Sequence, residues 1–211
     1  MPAAHIVGWL TSLLLCRHTT CTPRGQVFYT HLFHGEMYDA RREQPGWDGG
    51  PKAADFTPSA PLWSKAVPYA AAAATLGDLS LFTTPPIVCT EERAPAKMYP
   101  TPRRPGSWTF DFGQNWAGFV RLSLGPTPLP AGTTITLKHT EITHRDGAAY
   151  NTYCGTGTCR GLPAADPGAG NQANQTDVYI TRGVANETWT PKFTYHGFRY
   201  VELDGPFEKE Q

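Results

Sequence analysis

The stretch from Phe193 to Leu203 (Phe-Thr-Tyr-His-Gly-Phe-Arg-Tyr-Val-Glu-Leu) constrains this chain most. It is the densest aromatic and β-branched run in the sequence; Pro191 precedes it and Asp204-Gly205-Pro206 stops it. On an extended backbone Phe193, Tyr195 and Gly197 share one face, while Phe198, Tyr200 and Leu203 add further apolar surface. A helix would scatter these rings around its axis. The run therefore predicts two short strand segments with Gly197 as a bend or bulge. A strand so rich in aromatics is usually central and covered on both faces, so the rest of the chain must supply sheets around it.

That cover is legible upstream. Trp108 to Phe112 alternates aromatic and polar residues, Gly113 to Gly118 reads as a turn, and Phe119 to Leu124 as the next strand. Thr133 to Ile142 alternates again, Arg145-Asp146-Gly147 is a hairpin-type turn, and Thr176 to Thr181 is a further strand. Val27 to Phe33 and Leu79 to Phe82 also read as strands. Glu91 to Gly106, with four prolines, reads as an exposed linker. Twenty Pro and 21 Gly in 211 residues suit short strands joined by turns. Strands at roughly ten-residue spacing predict an all-β chain built from β-sandwich or jelly-roll layers.

Charge and cysteine content exclude some functions. Lys plus Arg equals Asp plus Glu at 18 each, without the basic excess of a nucleic-acid binder, so no nucleic-acid partner is expected. The five cysteines form no CxxC pair, which argues against structural zinc of that type. Cys154 and Cys159 flank a glycine-bearing loop and are the disulfide candidate, weighed equally against two unpaired thiols. Asn174 and Asn186 open N-x-[ST] sequons and are the glycosylation candidates. Residues 1–26 hold an apolar stretch from Ile6 to Leu15. It has the length of a signal-peptide core but lacks a preceding Lys or Arg and a small-x-small cleavage site. Secretion and a hydrophobic piece attached by an unusual gene start are both compatible with it.

No nucleophile elbow, zinc-protease helix, P-loop or dinucleotide fingerprint occurs. His139 and Glu141 share a strand face and could bind a metal or act as acid and base, but a polar pair at a sheet edge is the commoner arrangement. Asp111, between Phe110 and Phe112, points away from their face; a backbone contact in the Gly113 turn outweighs a role as acid. His196 reads as a structural histidine. Glu36, Asp39, Arg41 and Glu43 form either a salt-bridged network or a carboxylate cluster offered to a sugar or cation.

Several stretches taken together resemble the bacterial-type α-L-rhamnosidases of glycoside hydrolase family 78. They are Glu36-Met-Tyr-Asp-Ala-Arg41 with Gly46-Trp47, Phe110-Asp-Phe-Gly-Gln-Asn115 with Ala117-Gly118, Gln175-Thr-Asp-Val-Tyr179, and Phe193 to Glu202. The resemblance implies two β-sandwich domains. Residues 27–85 would be an incomplete N-terminal sandwich and 87–205 a concanavalin-like one, followed by a tail at 206–211. It further implies hydrolysis of terminal α-L-rhamnose with inversion, by two carboxylates roughly 6.5–9.5 Å apart. In the family these lie in an (α/α)6 barrel that would begin where this chain ends at Gln211, so no catalytic residue is assigned and the chain alone is expected to be inactive.

The expected function is a non-catalytic, carbohydrate-associated sandwich that binds rhamnose-containing glycans or braces a catalytic barrel. The alternatives are part of an active α-L-rhamnosidase whose barrel lies outside this chain, or a purely structural module. Asp39, Arg41, Trp47 and Trp63 are the candidate carbohydrate contacts. No cofactor is assigned. Calcium, which some sugar-binding modules of the family hold, has Asp39 as its candidate ligand, while Ala40 beside it offers no ligand oxygen.

Overall fold

The computed structural model describes residues 20–21, 25–47, 63–65, 80–81, 83–149 and 174–207. The chain divides into two compact units: 1–25 with 44–88, and 26–43 with 89–211. In the first, β1 (Thr20–Cys21) pairs antiparallel with β4 (Ser64–Lys65). The second unit holds every other strand. These are β2 (Val27–His31), β3 (Gly35–Asp39), β5 (Lys97–Pro100), β6 (Trp108–Gly118), β7 (Leu122–Ser123), β8 (Thr134–Thr140), β9 (Thr176–Ile180), β10 (Thr188–Trp189) and β11 (His196–Asp204). One 3-10 turn, Ala40–Arg42, follows β3. The chain is all-β, as its alternation predicts.

The second unit is built on a seven-stranded sheet in the order β2-β3-β9-β8-β11-β6-β5. Every pairing is antiparallel except β3 with β9. The short β7–β10 ribbon packs over one face of it. Leu122 and Trp189 from the ribbon join Ile135, Leu137, Tyr179, Phe198, Val201 and Ala40 in one core. Ile135 and Leu137 are wholly buried at alternate positions of β8, each worth about 1.5–3 kcal/mol of transfer free energy.

The aromatic run forms an interior strand, β11, between β8 and β6, but its bounds and bulge differ from the expectation. The strand begins at His196, leaving Phe193 and Tyr195 exposed at 68% and 44%. The amides of Lys192 and Phe193 bind the Glu36 carboxylate instead of a strand partner, so this segment never enters the ladder. The irregularity falls between Phe198 and Tyr200, not at Gly197. It changes the side-chain phase, so that Phe198 and Val201, three residues apart, both reach the core.

Other expectations change for physical reasons. Residues 113–118 continue β6 instead of turning, with Gly113 at φ +79° absorbing the irregularity against β11. The proline-rich 91–106 stretch contains β5, an edge strand whose largely exposed side chains give no alternation signal. Ser80 and Leu81, within the stretch expected as a strand, are in no strand. Residues 27–43, expected with the first domain, fall in the second unit, because β3 pairs with β9 across 141 residues of sequence. Gly35 allows that approach. At φ +102° its absent Cβ would lie 2.2 Å from the Thr176 carbonyl oxygen.

Candidate functional site

The turn after β3 fixes the first pair of candidate residues. Asp39 caps the 3-10 turn, accepting the Arg41 amide at 3.1 Å. Arg41 then folds back on the same carboxylate through Nε and Nη2, both at 2.9 Å, and Arg42 Nε adds a third contact at 3.2 Å. The Arg41 hydrogen bonds hold the Asp39 carboxyl below the usual carboxylate range. Asp39 is 2% exposed and committed to two guanidinium groups. That environment does not suit calcium, whose carboxylate ligands must turn to the ion and away from fixed positive charge. Asp39 therefore organises the motif, while the outward face of Arg41, half exposed, is what the pair presents to solvent.

Trp47 and Trp63 belong to the other unit. Trp47 is 52% exposed, and Trp63 is half-buried with its indole N–H donating to Gln44. Cys154 and Cys159 lie outside the described residues, as does the Ile6 to Leu15 segment. Both sequon asparagines, Asn174 and Asn186, are exposed.

The remaining acidic residues of the second unit are held in networks. Asp111 accepts the Gly113 amide at 2.7 Å, as its place between two phenylalanines predicts, and also receives Arg199 through Nε at 2.8 Å and Nη2 at 3.0 Å. The Arg199 bonds lower its carboxyl. Glu187, 5% exposed, accepts the amides of Arg182, Gly183 and Val184 at 2.8, 2.8 and 3.0 Å and the Tyr179 hydroxyl at 2.6 Å. Burial raises its carboxyl, but the Tyr179 hydroxyl and these amides outweigh burial and hold it below the ordinary value. Glu36 is the opposite case. It accepts two amides, yet desolvation dominates and pushes its carboxyl up.

His139 and Glu141 do not act as a pair. His139 is buried, whereas Glu141 lies beyond the end of β8 and accepts the Asn115 side-chain amide at 3.0 Å. Sequence reasoning missed the residues that His139 does meet. His196 stacks on it with ring centroids 4.2 Å apart, and Asp177 lies against both histidines. The signal was present. His139 continues the Ile135–Leu137 phase, Asp177 the Tyr179 phase and His196 the Phe198 phase, so three titratable side chains occupy positions where alternation calls for apolar ones.

Comparison with known proteins fits this architecture. The model of the bacterial alpha-L-rhamnosidase concanavalin-like domain matches residues 101–211. An alpha-L-rhamnosidase of Streptomyces avermitilis is 34% identical over 185 residues, which is 86% of this chain and 15% of that protein. One of Formosa agariphila is 28% identical over 86% of this chain and 16% of its own length. Among solved structures, the alpha-L-rhamnosidase from Dictyoglumus thermophilum aligns with a TM-score of 0.64 at 34% identity, over 86% of this chain and 17% of that one. The enzyme from Aspergillus terreus aligns at 0.61 and 27% identity, over 89% and 18%. The chain thus spans about a sixth of the length of these relatives.

Proposed function

The chain belongs to the bacterial alpha-L-rhamnosidase concanavalin-like domain family, and we propose that it is a non-catalytic β-sandwich that braces the hydrolytic part of a rhamnosidase-type glycoside hydrolase. The observation that carries this reading is the state of its carboxylates. Among the described residues every Asp and Glu has an arginine, amide, hydroxyl or imidazole partner, from Asp39 with Arg41 to Asp111 with Arg199 and Glu187 with Tyr179. Inverting hydrolysis needs an acid and a water-activating base facing each other across a sugar, with that water between them. The buried carboxylates among them, engaged in this way, hold strands and turns in place instead. On this reading the acid and base for hydrolysing terminal α-L-rhamnose come from an (α/α)6 barrel outside these 211 residues.

The test is direct. The purified chain releases no aglycone from an aryl α-L-rhamnoside, and release that is lost on mutation of its own carboxylates, Asp111 or Asp39, would overturn the non-catalytic assignment. A second reading, contact with rhamnose-containing glycans, rests on the exposed ring of Trp47, which offers the flat apolar face a pyranose C–H surface prefers. The Streptomyces avermitilis relative is itself known as a complex with L-rhamnose. Calorimetric titration with L-rhamnose separates the two. Heat that disappears in Trp47→Ala supports sugar contact, and no heat at millimolar sugar leaves bracing alone.

A further inference from the structure

Three neighbouring strands bring His139 (β8), Asp177 (β9) and His196 (β11) together in the interior of the second unit. The side chains of both histidines are 0% exposed and that of Asp177 is 1% exposed. His196 Nε2 lies 3.0 and 3.1 Å from the two Asp177 oxygens, and His139 Nε2 lies 3.9 Å from Asp177 Oδ2. One donor atom from each residue falls within 4.8 Å of the other two. We propose that this His-Asp-His cluster is a binding site for a divalent transition metal of the zinc class.

The hydrogen bonds around His139 and Asp177 set those two up as ligand chemistry requires. His139 Nδ1 faces the Gln175 carbonyl oxygen at 3.0 Å, an acceptor, so that nitrogen carries the proton and Nε2 presents a bare lone pair. That lone pair has no hydrogen-bond partner in a fully buried position. It faces a carboxylate oxygen, an arrangement that repels unless a cation lies between them. Asp177 is oriented from behind by the Glu36 amide, which donates to Oδ1 at 2.9 Å.

The two Asp177–histidine distances and the donor types fit. Ligand atoms about 2.0–2.2 Å from a tetrahedral zinc lie about 3.4 Å from each other, and the observed 3.1 and 3.9 Å bracket that value. Two imidazoles and one carboxylate suit zinc and its first-row neighbours better than calcium or magnesium, which prefer oxygen-only shells. The metal takes the place of the His196 Nε2 proton, which moves to Nδ1, a buried nitrogen that has no hydrogen-bond partner of its own, so the ring stays neutral. Three protein ligands leave one tetrahedral position for water. Because the ligands come from β8, β9 and β11, the ion would fasten the middle of the sheet.

The test titrates the metal-free 211-residue chain with zinc chloride and reads bound metal after dialysis, with cobalt(II) as a spectroscopic substitute. The expected results are one equivalent of bound zinc and, in the wild-type chain, cobalt absorption of a four-coordinate nitrogen–oxygen site. His139→Gln should lower affinity about tenfold or more. His31 and His34, whose rings lie 4.5 Å apart at the surface, are the internal control. Zinc binding that survives His139→Gln and is lost in His34→Ala overturns the proposal, as does a wild-type chain that retains no zinc. Where a substitution at the buried cluster prevents folding, the cobalt spectrum of His34→Ala decides the question: a four-coordinate spectrum that persists supports the buried site, and one that is lost overturns it.

Discussion

Glu187→Ala is the substitution with the most direct structural consequence. The carboxylate closes the turn between β9 and β10 by accepting three consecutive amides, and it also receives the Tyr179 hydroxyl inside the core. Tyr179 is 3% exposed, so truncation leaves its hydroxyl dry and unpartnered, at a cost of about 1–3 kcal/mol. Arg182 and Val184 are exposed and Gly183 is half-buried, so water replaces part of what their amides lose. Each of those bonds then contributes only its net value, about 0.5–1 kcal/mol. The total, about 2.5–6 kcal/mol, is a large share of the roughly 5–15 kcal/mol that holds a typical domain folded. At about 2–4 °C per kcal/mol for a chain of this size, the midpoint should fall by roughly 5–24 °C. Urea unfolding of both proteins measures the difference. The pH dependence supplies a second check. The folded-state carboxyl lies below its ordinary value of 4.5, so its contribution is present above that value and is lost as pH falls through the folded one. The gap between wild type and Glu187→Ala should therefore narrow as pH falls below the ordinary carboxyl value. A difference under about 1 kcal/mol, or one that does not change with pH, would refute this account of the turn.

Three further outcomes are expected. Gly35→Ala puts a Cβ 2.2 Å from the Thr176 carbonyl oxygen at φ +102°, and should cost more than about 2 kcal/mol in urea unfolding while exposing the β3–β9 amides to hydrogen exchange. Arg199→Lys replaces a two-point guanidinium contact with a point charge, so the Asp111 carboxyl should rise toward its ordinary value in an NMR titration and the melting temperature should drop. Trp47→Ala, at a half-exposed position, should leave stability within about 0.5 kcal/mol of wild type, so any lost response to L-rhamnose reports contact and not unfolding.

What the sequence reveals follows from where side chains are buried. Strands with one face in the core, such as β8 with Ile135 and Leu137, announce themselves through period-two alternation. The edge strand β5 does not, because its side chains are largely exposed and prolines surround it. The β3–β9 pairing was hidden for a different reason. Parallel strands far apart in sequence carry no local signal, and only the glycine at position 35 marks the close approach. The carboxylate–arginine motif at Asp39 and Arg41 was readable as a cluster, but its meaning was not, since hydrogen-bond geometry decides that Asp39 serves the turn. The His139, Asp177 and His196 set needed the register of three strands before it could be seen as one group.

The central claim, that this sandwich braces hydrolytic machinery located elsewhere, is tested most directly by domain exchange. The matching segment of the Streptomyces avermitilis alpha-L-rhamnosidase, about 15% of its length, would be replaced by this chain and compared with a deletion of the same segment. The account predicts that the deletion yields insoluble, inactive enzyme, and that the exchange restores soluble enzyme with rhamnosidase activity on an aryl rhamnoside. An active deletion, or an exchanged protein as inactive as the deletion, would contradict it.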